Sequence, residues 1–70
     1  MSPPTSPPPS AAAELSSLAT ALDDLARRVT AIAERCETER RDGLATELYQ
    51  VERSLTAARR GLAKVLTNAR

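Results

Sequence analysis

The sequence predicts an all-α fold: an antiparallel helical hairpin, in effect a two-helix coiled coil, dimerising into a four-helix bundle. Three observations predict it. Aliphatic residues recur in two separate runs at alternating steps of three and four, the signature of paired helices. Between the runs lie seven residues, 37–43, with no large apolar side chain and with the turn dipeptide Asp42-Gly43. Composition supplies the third: 70 residues with one aromatic, one cysteine, no histidine and two glycines leave Leu, Val and Ala as the material for a core.

The first ten residues carry all five prolines. Proline lacks an amide donor and fixes its own φ, so 1–10 is expected to be a disordered, Pro-rich tail in extended, solvated form. Pro4-Thr5-Ser6-Pro7 fits the PxxP pattern of groove-binding modules, and Ser2, Thr5 and Ser6 are candidate phosphorylation sites; a plain flexible terminus is the simpler reading. The hairpin follows as 11–70. Ser10 is placed to cap its first helix, with Glu14 complementing the helix dipole.

Helix 1 is expected over about 11–40. Leu15, Leu18, Leu22, Leu25, Val29, Ile32 and Cys36 follow one another at steps of 3, 4, 3, 4, 3 and 4, a heptad a/d pattern with Leu15 at a. The e positions are Ala12, Ala19, Ala26 and Ala33, which widen the apolar stripe and let a neighbour come close. Asp23 with Arg27 and Asp24 with Arg28 form i,i+4 pairs that mark a solvated side.

A turn is expected at about 40–43, with Gly43 in the left-handed conformation that ends helix 1 and Asp42 capping helix 2. Helix 2 is expected over about 43–69. Its seam reads Leu44, Leu48, Val51, Leu55, Ala58, Leu62, Val65 and Ala69, with Leu66 on the same side. The seams are out of phase, because Cys36 and Leu44 are eight residues apart. A continuous rod could absorb that shift, but the turn chemistry and the matched helix lengths favour a hairpin. Charge agrees: residues 11–43 carry seven acids and five bases, net −2, and residues 44–70 carry two acids and five bases, net +3. Gly61, with Ser54 one heptad earlier, reads either as a site of close backbone approach or as a weak point near the C-terminus.

Two helices share one seam and leave the outer half of each apolar stripe wet. Below about 70–80 residues a lone core rarely supplies more than ~3–5 kcal/mol without disulfides, metals or oligomerisation. One cysteine forms no internal disulfide, and the absence of histidine removes the commonest metal ligand and general base. The implied partner is a second copy, as a homodimer, or the helices of another protein.

Those facts shape the functional expectation. Cys36 has no histidine or second cysteine to complete a nucleophilic pair or metal site, so it reads as a small buried hydrophobe, with a redox-sensitive thiol or a disulfide across a dimer axis as the sharper alternative. No catalytic residue, cofactor or metal is expected. Arg59, Arg60 and Lys64 on helix 2 form the one basic strip that could meet phosphate or nucleic acid. A net charge of +1, interleaved acids and the lack of stacking aromatics argue against it. Tyr49, with Glu52 and Arg53, is the candidate outward contact for a partner. No apolar run is long enough to span a membrane and no signal-peptide pattern opens the chain, so a cytoplasmic protein is expected, and the Ala and Arg bias suggests a bacterial one. The resulting expectation is a small non-enzymatic protein–protein interaction module, an adaptor or regulator acting through heptad-patterned helices. The alternative is a small nucleic-acid-associated regulator using the basic face of helix 2.

Overall fold

A computed structural model describes residues 10–68. The proline motif, the candidate phosphorylation sites and Ala69 lie outside the described residues. The chain is an all-α hairpin of two helices packed along their length, α1 (Ala11–Thr38) and α2 (Asp42–Asn68). No helix among the described residues is long and apolar enough to cross a membrane.

α1 starts where a serine follows the last proline. Ser10 is extended, with φ −66° and ψ 156°, and its hydroxyl accepts the Ala13 amide at 3.1 Å, satisfying one of the free donors of the first turn. Hydroxyl residues inside both helices do not break them. Thr20, Thr38, Thr46, Ser54 and Thr67 each donate back to the carbonyl four residues earlier, so the side chain joins the helical hydrogen-bonding instead of competing with it.

The reversal lies earlier than the glycine suggests. α1 stops at Thr38 in a Schellman motif: the Arg41 amide donates to the Cys36 carbonyl at 2.7 Å and the Arg40 amide to the Glu37 carbonyl at 3.0 Å. The left-handed residue of that motif is Arg40, with φ 63°, and no glycine among the described residues has positive φ. Two expectations are therefore corrected. Gly43 lies inside the first turn of α2 and does not end α1. Asp42 is the first residue of α2 rather than its cap, and the Arg41 carbonyl accepts the Ala45 amide at 2.9 Å. The small side chains explain the placement. Cys36 and Ala45 are both buried at the closed end of the hairpin, so the link between them has to be short.

Packing within the hairpin uses small residues. Among the described residues the buried side chains are Ala26, Ala33, Cys36 and Ala45, at 0–7 % exposure, and no large side chain is fully buried. On α1 the shielded seam positions are Leu15, Ala19, Leu22, Ala26, Val29, Ala33 and Cys36, with Asp23 and Thr30 half-buried beside them. Aliphatic a residues thus alternate with the alanines of position e. On α2 the shielded seam positions run Ala45, Leu48, Glu52, Leu55, Arg59, Leu62 and Leu66, with Tyr49 and Thr56 half-buried beside them. α1 turns its alanines inward, which leaves room for the facing helix to come close. Each helix is rotated so that three of its large aliphatic residues lie on the edge of the shielded face rather than within it.

Candidate functional site

The rotation gives the hairpin two unlike flanks. One is polar. Asp23 and Thr30 of α1 share a groove of about 300 Å³ with Thr56 and Arg59 of α2, which puts the four residues on one side of the pair. Arg59 reaches Asp23 across it at 3.9 Å, and Asp23 is also held by Arg27 at 3.1 Å. Thr56 donates to Glu52 at 2.9 Å. Nearer the turn, the Tyr49 hydroxyl donates to Glu37 Oε1 at 3.0 Å. That hydrogen bond, helped by desolvation and by the negative charges of Glu37 and Glu34, raises the phenol above its ordinary value of 10.0.

The other flank is apolar and uncovered. Leu18, Leu25 and Ile32 lie on the edge of the buried face of α1 opposite Asp23 and Thr30. Leu44, Val51 and Val65 lie on the edge of α2 opposite Tyr49 and Thr56. All six are 43–54 % exposed. They share a flank because their opposites share the polar groove. The antiparallel register marked by Asp23 and Arg59 puts Leu18 level with Val65, Leu25 level with the exposed Ala58, and Ile32 level with Val51. Leu44 continues the row towards the turn.

Setting aside Ala58 and Ala69, the fourteen seam residues expected from the heptads separate into two groups. Leu15, Leu22, Val29, Cys36, Leu48, Leu55, Leu62 and Leu66 are buried or half-buried between the helices. The other six form the open flank. Cys36 is a free, buried thiol facing α2, so a disulfide across a dimer would require it to leave the seam.

The remaining candidates also divide. Tyr49 is half-buried and tied to Glu37, and Glu52 is half-buried at the shielded face; of that trio Arg53 alone is exposed. Of the basic strip, Arg60 and Lys64 are exposed, whereas Arg59 is half-buried and engaged by Asp23. Sequence reasoning missed Tyr49 as a strut between the helices. It assigned α2 a seam through Leu44, Val51 and Val65, which put Tyr49 away from α1. Glu37, twelve residues earlier, was the available signal for a polar partner across the turn.

No protein-family model, no curated protein and no solved structure matches the chain.

Proposed function

We propose that the protein is a non-enzymatic interaction module whose working surface is the apolar flank: it assembles by laying Leu18, Leu25, Ile32, Leu44, Val51 and Val65 against helices that carry a matching stripe. The single observation behind this reading is the division of the heptads. Among the described residues, six large aliphatic side chains stay open while only alanines and a cysteine are deeply buried. A folded chain rarely exposes an apolar patch beyond about 300–600 Å² unless the patch meets something. A flank of two parallel rows along ~40 Å of helix reaches that size. The thin core between the helices gives the same surface a second role, since covering the flank adds the burial that the hairpin lacks.

The nucleic-acid alternative draws less support. One member of its basic strip, Arg59, already serves the hairpin by facing Asp23, which leaves Arg60 and Lys64 as isolated exposed charges.

The test is solution mass by light scattering with helicity by circular dichroism on the same samples, over about a hundred-fold range of concentration. Helicity that accompanies association supports the reading, and so does a poorly helical lone chain that needs another protein's helices. A chain that is fully helical and monomeric throughout, with its flank open to water, overturns it.

A further inference from the structure

We infer that the occupant of the apolar flank is a second copy of this chain, stacked with both turns at the same end so that α1 of each copy faces α2 of the other. The inference rests on the reading above and adds the partner and its orientation.

Area is the first argument. Two helices of ~40 Å, each ~10 Å across, present about 800 Å² per copy. That is the share each partner contributes to a standard-size stable interface.

Shape is the second. The open flank holds six bulky residues and one adjacent hole: Ala58, exposed and level with Leu25. A two-fold axis along the hairpin sets Leu25 of one copy over Ala58 of the second copy, with Leu18 over Val65 and Ile32 over Val51. Large meets small at the centre, as interdigitating layers require. Turning one copy end for end instead sets Leu25 on Leu25 and Ala58 on Ala58, a crowded site beside a void.

Gly61 supplies a third argument. It stands inside α2, where glycine costs about 1 kcal/mol against alanine. The hairpin gives no reason for it, since a Cβ there would meet nothing within 4 Å. Gly61 lies three residues after Ala58 and four before Val65, beside the open row. In the same-end arrangement it comes level with Ala21 and Leu22 of the second copy, between Leu18 and Leu25. Ser54, one heptad earlier, has its hydroxyl bonded to its own helix at 3.2 Å and also presents a small profile. The edge of α2 is thus trimmed where a neighbouring helix would press.

Charge points the same way. α1 carries five acids and three bases, and α2 carries three acids and four bases, so the helices are net −2 and +1. Within the hairpin each helix already neighbours its opposite. The same-end stack repeats that across the interface, whereas the end-for-end stack sets α1 on α1 and α2 on α2. Such complementarity selects orientation more than it adds affinity.

The experiment places one nitroxide per chain at the turn, Glu39→Cys in a Cys36→Ala background, and measures the label-to-label distance alongside solution mass and helicity. The expected result is twice the 7.5 kDa chain mass and a distance below about 30 Å, because the two turns are neighbours. A dimer with labels about 40 Å or more apart, one helix length, overturns the same-end stack. A poorly helical monomer overturns self-association and leaves the interaction reading standing with a foreign partner. A fully helical monomer overturns both. Two further variants separate interface loss from misfolding. Leu25→Asp is expected to weaken dimerisation at least a hundred-fold. Ala31→Glu, on the exposed side of α1 away from the flank, is expected to leave it unchanged, and equal loss in both would overturn the assignment. Gly61→Leu is expected to weaken dimerisation at least ten-fold, and an unchanged dimer would overturn the contact at Gly61.

Discussion

At the scale of single residues, Arg40 holds the reversal together at a cost. It adopts φ 63°, a conformation that disfavours a residue with a Cβ by roughly 1 kcal/mol. The two Schellman hydrogen bonds from Arg40 and Arg41 hold it there. Replacing Arg40 with glycine removes that cost and is expected to stabilise the fold by about 0.5–1 kcal/mol, read as a higher urea midpoint at fixed chain concentration. Tyr49 provides a second residue-level expectation. Its phenol is raised, chiefly by the hydrogen bond to Glu37, so its contribution to stability is complete below pH 10 and is lost as pH rises through the raised value. Ultraviolet titration should show the tyrosine ionising above the ordinary value in the native protein. In Glu37→Ala it should return towards that value, and a curve unmoved by Glu37→Ala would show that the carboxylate is not the cause.

At the scale of the elements, the alanines decide how the helices meet. Ala33 has no exposed surface, and Ala26 and Ala45 are nearly as buried. Close packing of this kind has no room for a larger side chain. Ala33→Leu is expected to destabilise the hairpin by about 1–3 kcal/mol through overpacking, although leucine is more hydrophobic and nearly as good a helix former. Equilibrium urea unfolding checks it, and a variant as stable as the parent would show that the helices are not held close at that level. The period of the helices and the existence of two of them are legible in the spacing from Leu15 to Cys36 and from Leu44 to Val65. Which face turns inward is not. Positions a and d carry the large residues, and counting hydrophobicity alone selects them. The structure selects a and e on α1, where alanine at e leaves room for the facing helix.

At the scale of the whole molecule, stability and association are expected to be one quantity. The hairpin buries no large side chain completely and leaves six in water. A second copy over the flank would make unfolding depend on mass action. The thermal midpoint is accordingly expected to rise by several degrees as chain concentration increases about a hundred-fold. A midpoint independent of concentration would mean that the lone hairpin accounts for all of the stability.

The sequence by itself determined that the chain is helical, that it has two helices and that they reverse near residue 40, because these follow from periodicity and turn chemistry, which are local. It also supplied every residue of the open flank, although mixed with residues that pack inside. The tertiary structure decided how they divide. The choice between a and d or a and e as the inner face is a competition between burying larger side chains and bringing two backbones closer, and that distance is set by both helices together. The same holds for Tyr49 and Glu37, and for the left-handed Arg40 taking the place expected of Gly43. Each depends on which residues of one helix meet those of the other, which no single stretch of the chain specifies alone.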